Sequence, residues 1–115
     1  YYHAVKKKMG GAKTHQFVRL FMAPGVQHCG AGAGPNSFGQ AGPRGGDPEK
    51  DLDAALVRWV EKGTAPERVI AAKMKGQTVE RTRPLCAFPL VARYKGSGST
   101  DDAANFDCAK PAKGK

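Results

Sequence analysis

His28 is the side chain in this sequence that is best placed to do chemistry. It follows a short apolar run, residues 17–22 (FVRLFM), and a strong chain breaker formed by Pro24 and Gly25. Short apolar runs that end at a breaker are typical of buried strands, so the sequence predicts a strand over residues 17–22 with His28 just beyond its carboxyl end. Loops fixed by a rigid sheet often carry reactive groups. The pattern therefore predicts a reactive imidazole presented on a loop.

Three glycines, at positions 30, 32 and 34, follow His28. They do not form a phosphate-binding G-x-G-x-x-G loop, whose third glycine would come one residue later and whose helix would open immediately. A proline follows instead, and residues 43–46 continue an irregular stretch. We interpret the glycines as giving the backbone around His28 freedom to bend.

Three cysteines constrain the chemistry further: Cys29, Cys86 and Cys108. An odd count in an oxidised chain leaves one thiol free or bonded to a group outside this sequence. A zinc site built from His28 and the three cysteines is possible on ligand type, but its spacing matches no usual structural-zinc pattern. The spacing of the cysteines leaves these alternatives open.

Size and charge limit the classes of function. The 115 residues, 40% of them apolar, suffice for one domain with a core, and no run is long and apolar enough to cross a membrane. Nineteen Lys and Arg against ten Asp and Glu give a net charge of +9, which favours anionic partners. Because the basic residues are scattered and aromatic residues do not interleave with them, we expect solvated surfaces and no nucleic-acid partner.

Two amphipathic helices are predicted. Apolar residues at Tyr2, Val5 and Met9 indicate a first helix, closed by the glycines that follow. A second helix is predicted from Asp47, as a capping carboxylate, to about Lys62. Its apolar stripe consists of Leu52, Ala55, Leu56, Trp59 and Val60, and Gly63 is its predicted stop.

A β-hairpin is predicted in the second half of the chain. Residues 69–74 and 78–83 flank a turn that contains glycine, as hairpin strands do. Pro84 and Pro89 are predicted to end regular structure, and residues 95–100 are predicted to form a Gly/Ser loop.

Together these motifs resemble the C-terminal part of the tannase and feruloyl esterase family. The segments that carry the resemblance are, in order, YY (1–2), MGG (9–11), FVRLFM (17–22), PG (24–25), HCG (28–30), GPN (34–36), FG (38–39), WVEKG (59–63), AP (65–66), RTRPLC (81–86) and NFDC (105–108). Each motif is modest alone, but their order and spacing are specific. The sequence departs from the family pattern at Ala31 and Ala33, where glycine is more usual, and at Val26, where methionine is common.

Members of that family are α/β-hydrolases with an inserted lid domain that split esters of gallic, ferulic or related aromatic acids. The resemblance implies that residues 1–108 are the C-terminal segment of such a catalytic domain, incomplete on its own. It would comprise the last core strand, the histidine loop, a helix and a β-hairpin, followed by a flexible basic tail over residues 109–115. The resemblance also implies that His28 is the histidine of a Ser-His-Asp triad.

The other triad members are not expected in this chain. It has no G-x-S-x-G elbow for the serine, and in the family the aspartate precedes the segment that begins here with Tyr1. We therefore expect the 115-residue chain alone to be inactive. Tyr1 in place of an initiator methionine also indicates a mature product or a piece of a longer chain.

The resemblance also accounts for the odd cysteine. In the family a disulfide joins the cysteine beside the histidine to one beside the serine, which implies that Cys29 pairs with a cysteine absent from this chain. Cys86 and Cys108 would then form a local bridge. A buried free thiol at Cys29 is the alternative. Family members are secreted or periplasmic, and the same location is expected here.

The expected partners are a small aromatic-acid ester and the missing N-terminal part of the same protein, with no nucleic acid and no membrane. No cofactor is expected in this segment, because the resemblance places the family's structural calcium in the lid. The alternative function is a secreted, disulfide-stabilised basic module that binds an acidic polymer without catalysis.

Overall fold

A computed structural model of the chain describes residues 1–40 and 45–114, which form a small mixed α and β unit. The helices lie in the first part of the chain and the strands in the second. In order, the elements are α1 (Tyr2–Met9), α2 (Gly11–Thr14), a 3-10 turn (His28–Gly30), α3 (Leu52–Lys62), β1 (Arg68–Lys75), β2 (Thr78–Cys86), β3 (Val91–Tyr94), a second 3-10 turn (Ala103–Asn105) and β4 (Phe106–Ala109).

The first helix, α1, is confirmed. Its buried residue is Tyr2, three lysines occupy its last turn, where they favour the negative end of the helix dipole, and Gly10 ends it with a φ of 83°. The Tyr2 ring packs edge-on against Phe88, with 5.7 Å between the ring centroids. The polar stretch after α1 contains α2, a single turn that the sequence did not predict, in which the Thr14 hydroxyl donates to the Gly10 carbonyl at 2.8 Å.

Residues 17–22 do not form the predicted strand. Within the described part of the chain they pair with another segment at one isolated bridge, between Phe21 and Ala87. A strand requires a ladder of successive pairs with a neighbour, and one bridge does not make a ladder. Phe17 and Met22 are 52% and 59% exposed, so much of the apolar surface of this run is not used in the core. The prediction of a last core strand is therefore wrong for the described residues.

The helix α3 has Asp51, not Asp47, as its N-cap. The Asp51 carboxylate is buried and accepts from the backbone N–H groups of Asp53 and Ala54 at 3.0 and 3.1 Å. Asp47 instead accepts from the N–H of Glu49 at 2.9 Å in a preceding turn, and this hydrogen bond lowers the pKa of the Asp47 carboxyl. The predicted start of the helix was wrong because two aspartates compete for the cap, and tertiary burial selects the second.

The predicted stop of α3 is confirmed. Gly63 adopts a left-handed φ of 70°, and its N–H donates to the Trp59 carbonyl at 2.9 Å. The predicted apolar stripe is divided between core and surface: Ala55 is fully buried, whereas Val60 is 78% exposed. Trp59 is half-buried, with the Arg19 guanidinium 5.2 Å from its ring centroid. One apolar face of α3 is thus uncovered.

The predicted hairpin is confirmed as β1 and β2, which pair antiparallel. Pro84 lies inside β2 opposite Ile70, so the prediction that it ends regular structure is wrong. The Ile70 N–H donates to the Glu49 carbonyl at 2.7 Å and not to the facing strand. A proline is tolerated in an edge strand at a position whose N–H the ladder does not use.

A second hairpin, formed by β3 and β4, was not predicted. The two strands pair over four positions only, and their connection contains the predicted Gly/Ser loop. Of the predicted tail, Ala109 belongs to β4 and residues 110–114 carry no regular structure. Lys115 lies outside the described residues, as do positions 43 and 44 of the predicted irregular stretch.

The core and one disulfide hold these elements together. The buried apolar cluster joins the β1–β2 hairpin, α3 and the chain after the histidine turn through Phe38, Ala55, Val69, Ala71 and Leu85. The Cys86–Cys108 disulfide links the end of β2 to β4, with 5.6 Å between the Cα atoms. It spans a sequence separation of 22, and a bridge over such a loop contributes about 3 kcal/mol in the chain-entropy model.

We predict that Asp51→Ala lowers the free energy of unfolding by about 1–2 kcal/mol, because it removes the acceptor for two helical N–H groups at a buried site. Asp51→Asn keeps an acceptor oxygen and should recover part of the loss. Asp47→Ala is the matched control and should change the free energy of unfolding by less than about 0.5 kcal/mol. Denaturant unfolding of the three variants makes the comparison, and equal losses at both aspartates would contradict the cap assignment.

Candidate active site

His28 opens the 3-10 turn that follows the Pro24–Gly25 breaker. The chain reverses at the breaker, where the Val26 N–H donates to the Ala23 carbonyl at 3.3 Å. The His28 side chain is exposed, so the structure presents the imidazole on a surface loop, as predicted.

Cys29 occupies the strained position of the same turn. Its φ of 66° lies in the left-handed region, and among the described residues it is the one non-glycine residue with a positive φ. In this chain its thiol is free and exposed. Such backbone strain costs on the order of 1–3 kcal/mol and persists where the surroundings fix it. The turn thus holds an imidazole and a thiol side by side at the surface.

Backbone hydrogen bonds close the histidine loop, which we define as residues 24–37. Across the turn, the Gln27 N–H donates to the Ala31 carbonyl at 2.7 Å. At the base, the Gly34 N–H donates to the Gly25 carbonyl at 2.9 Å. The two chain segments that flank the His28–Gly30 turn are therefore held to each other by hydrogen bonds within the loop.

The hairpin strand β1 anchors the second half of the loop through two neighbouring residues, Ala72 and Lys73. Ser37 and Ala72 exchange backbone hydrogen bonds of 2.9 and 2.8 Å. The Lys73 ammonium donates to the Gly32 carbonyl at 2.5 Å. The loop is thus attached to the most buried strand of the structure.

Two glycines are required by close backbone contacts. A Cβ at Gly32, which has a φ of 114°, would lie 2.1 Å from the Gly25 carbonyl oxygen. A Cβ at Gly34 would lie 2.1 Å from the Pro24 carbonyl oxygen. No side chain fits at such distances. The glycines predicted to let the backbone bend therefore also let two stretches of backbone touch.

A groove of about 370 Å³ lies beside the base of the loop. Its lining includes Pro24 and Gly34 from the base of the histidine loop and Cys86 of the disulfide. The Cys86–Cys108 disulfide and the base of the loop therefore border the same groove. Arg81 and Arg83 also line the groove. Burial, together with the neighbouring Arg81 charge, lowers the pKa of the Arg83 guanidinium, which nevertheless stays cationic at neutral pH.

Both guanidinium groups already have partners. Arg81 forms an ion pair with Asp101 at 3.4 Å. Arg83 donates to the Thr100 carbonyl at 2.9 Å and stacks over Phe106 at 3.8 Å from the ring centroid. The groove is lined mostly by apolar residues, and its two cations are held by partners within the chain.

The disulfide excludes the alternative zinc site, because bridged sulfurs of Cys86 and Cys108 are not thiolate ligands. In residues 1–40 and 45–114 no group of three or more His, Cys, Asp or Glu side chains could hold a metal ion. None of the helices in the same residues has the length and apolar character needed to cross a membrane.

Comparison with known proteins places this loop in a family. A sequence model described as "Tannase and feruloyl esterase" matches residues 1–109. The chain belongs to the tannase and feruloyl esterase family. The predicted resemblance is confirmed, and the matched region contains the histidine loop, both hairpins and the disulfide.

Individual family members agree with the assignment. An uncharacterized esterase from Xanthomonas campestris pv. campestris is 46% identical over 110 residues, which cover 90% of this chain and 19% of the relative. A mono(2-hydroxyethyl) terephthalate hydrolase from Piscinibacter sakaiensis is 41% identical over 114 residues, covering 96% of this chain and 17% of the relative. The crystal structure of feruloyl esterase B from Aspergillus oryzae superposes with a TM-score of 0.85 at 36% identity, covering 95% of this chain and 22% of that one. The chain therefore spans about a fifth of the length of these relatives.

Sequence reasoning singled out His28 and the cysteines as candidates but did not predict the residues that hold the loop. Lys73 was assigned to a hairpin strand with no role in the site, and the pairing of Ser37 with Ala72 was not predicted. Both contacts join residues that are more than thirty positions apart. The run of glycines signalled a close approach of backbone, but the backbone that approaches belongs to the same loop, so the glycines did not point to β1.

We predict that Gly32→Ala disrupts the histidine loop and lowers the free energy of unfolding by at least about 2 kcal/mol, because it adds both a clash and left-handed strain. Gly30→Ala is the matched control in the same loop. The atom nearest to a Cβ at Gly30, Nε2 of Gln40, is 4.0 Å away, so this variant should be close to neutral. Thermal unfolding of both proteins tests the contact, and equal midpoints would contradict it.

Proposed function

We propose that this chain is the histidine-bearing C-terminal segment of an α/β-hydrolase carboxylesterase, and that His28 is the histidine of its catalytic triad. The observation that carries the proposal is the match of the family model to residues 1–109, with His28 on an exposed and hydrogen-bonded turn inside that region. The fold of feruloyl esterase B over the same residues supports it.

In the proposed reaction, His28 accepts the proton of a serine hydroxyl as the serine attacks the ester carbonyl. It then returns that proton to the departing alcohol, which leaves the acyl group on the serine; His28 next accepts a proton from water as the water attacks this acyl-serine ester, and returns it to the serine as the acid is released. A carboxylate on the other imidazole nitrogen would set the tautomer of His28. The serine and the aspartate would come from the remaining part of the protein, since this chain has no G-x-S-x-G elbow and spans about a fifth of its relatives.

The substrate class we propose is an ester of an aromatic acid such as gallate or ferulate. The names of the relatives support this class: one structural neighbour is a feruloyl esterase and one relative a terephthalate monoester hydrolase. Ferulic acid and terephthalic acid, the acids in these two names, each carry a carboxyl group on or near an aromatic ring. We further propose that the protein is secreted or periplasmic, which the Cys86–Cys108 bridge supports because such compartments are oxidising.

Cys29 has a role in the same proposal. We propose that it forms a disulfide with a cysteine beside the catalytic serine. A disulfide holds its Cα atoms about 5.5 Å apart, so a bridge between the neighbours of serine and histidine would keep the two reacting groups within hydrogen-bond reach. The exposure of the Cys29 thiol in this chain supports the pairing.

The alternative, a basic module that binds an acidic polymer, has weaker support. Among the described residues, basic side chains on different elements and connections are paired with carboxylates: Arg19–Glu67, Lys50–Asp47, Arg58–Glu49, Arg81–Asp101 and Lys95–Asp107. These pairs reduce the positive charge available to a polyanion.

We predict that His28→Ala lowers kcat/KM on methyl ferulate and methyl gallate by about 10³-fold or more, since the general base is lost. The assay requires full-length protein, obtained by joining this chain to its upstream sequence or by grafting residues 1–109 onto the rest of a family member. His3→Ala removes another exposed histidine and should leave activity near that of the unsubstituted protein. Circular dichroism checks folding, and the chain alone is the inactive control. Unchanged activity in a folded His28→Ala protein would remove His28 from the triad, whereas absence of ester hydrolysis in the folded unsubstituted protein would favour the binding module.

We predict that peptide mapping of the unreduced full-length protein finds Cys29 linked to an upstream cysteine and Cys86 linked to Cys108. Cys29→Ser should lower kcat by about 10- to 100-fold, because the histidine loop loses its cross-link to the nucleophile. Quantitative alkylation of Cys29 in the native protein would show that the proposed bridge does not exist.

A further inference from the structure

We propose that Lys73 is a positioning residue for His28. It holds the far arm of the histidine loop, residues 30–34, against β1 through the Gly32 carbonyl. This inference rests on the proposed function, because it takes His28 to be the general base. It adds a residue on a distant strand to the set on which the reaction depends.

The contact is direct and crosses a long sequence separation. The Lys73 ammonium donates to the Gly32 carbonyl at 2.5 Å, across 41 positions of the chain, in a half-buried setting. In the described residues Lys73 forms no ion pair with a carboxylate. Its charge is therefore directed at the loop. A hydrogen bond from a charged group is stronger than one between neutral groups.

The restraint reaches His28 through two short steps. Gly32 follows Ala31, whose carbonyl accepts from the Gln27 N–H at 2.7 Å, and Gln27 precedes His28. Movement of the Gly32 peptide would pull on the hydrogen bond that closes the turn. Lys73 thus acts on the backbone from which the imidazole projects.

The far arm of the loop has few other means of support. The near arm is anchored because Val26 packs against the apolar core. The far arm, residues 30–34, consists of glycine and alanine, whose side chains bury almost no apolar area. Beyond it, Ser37 is bonded to Ala72, the residue before Lys73. The Lys73 ammonium therefore provides a tertiary contact that the small side chains of this arm cannot make themselves.

Precise placement of the loop matters because general base catalysis requires His28 within about 3 Å of the serine oxygen. A displacement of about 1 Å can cost about 10²-fold in rate. A loop that is held loosely on one side would spend part of its time outside this range. Loss of the Lys73 contact should therefore lower kcat and leave substrate binding nearly unchanged.

The test compares Lys73→Met with Lys75→Met in the full-length esterase described above. Both substitutions remove one lysine charge from β1 and keep an unbranched side chain, but Lys75 is exposed at the end of the strand. We expect Lys73→Met to lower kcat on methyl ferulate by about tenfold with KM changed by less than about twofold. Lys75→Met should match the unsubstituted protein, and Lys73→Arg, which keeps a cationic donor, should recover most of kcat.

A second readout does not depend on activity. Backbone amide hydrogen exchange at Gln27 and Gly34 should be faster in Lys73→Met than in Lys75→Met, because both amides close the loop. If Lys73→Met fails to fold, Lys73→Gln gives the same comparison, since it removes the charge and shortens the side chain that contacts the Gly32 carbonyl.

The outcomes separate this inference from the function on which it rests. Equal kcat and equal exchange in the Lys73→Met and Lys75→Met proteins would overturn the positioning role, while an inactive His28→Ala protein would leave the triad assignment intact. Full activity of His28→Ala would overturn both. A rise in KM alone, with kcat retained, would also overturn the positioning role, because it would assign Lys73 to substrate binding.

Discussion

The pairing of β1 with the chain beyond the histidine turn is the interaction on which the candidate site depends. One edge of β1 forms the hairpin with β2, and on its other side Ala72 pairs with Ser37. Val69 and Ala71 of the same strand are fully buried in the core. Because β1 is fixed by burial and by β2, it can transmit that rigidity to an exposed loop that has little apolar surface of its own.

The remaining contacts make this strand a stable support. The Ile70 N–H of β1 donates to the Glu49 carbonyl, which ties the strand to the segment before α3, and the buried Asp51 carboxylate caps that helix. On the far side, the disulfide and the Arg83–Phe106 contact attach the second hairpin to β2. The site is thus a glycine-rich loop that hydrogen bonds hold on a cross-linked β scaffold. Because the scaffold holds the loop, the imidazole can be exposed to solvent while its backbone stays in a fixed position.

The apolar surface left uncovered agrees with a segment that belongs to a larger protein. Phe17, Met22 and Val60 are more than half exposed, and they lie on the run before the histidine loop and on the outer face of α3. Exposed apolar groups that lie close together are typical of an interface, and Phe17 and Val60 line the same groove. In the function we propose, the remaining four fifths of the catalytic protein would cover this surface and supply the serine and the aspartate.

Local sequence determined a large part of this protein. The first helix, the glycine that ends α3, the β1–β2 hairpin and the loop that carries His28 all follow from patterns within a few residues, because propensity, capping and turn chemistry act at that range. The family followed from the order of short motifs along the chain. Tertiary structure decided between arrangements that the local sequence allows equally well. It selected Asp51 over Asp47 as the cap by burying one of the two, left residues 17–22 without a ladder, and directed the Lys73 ammonium to Gly32. These outcomes depend on which distant segment lies alongside, and neither propensity nor periodicity contains that information.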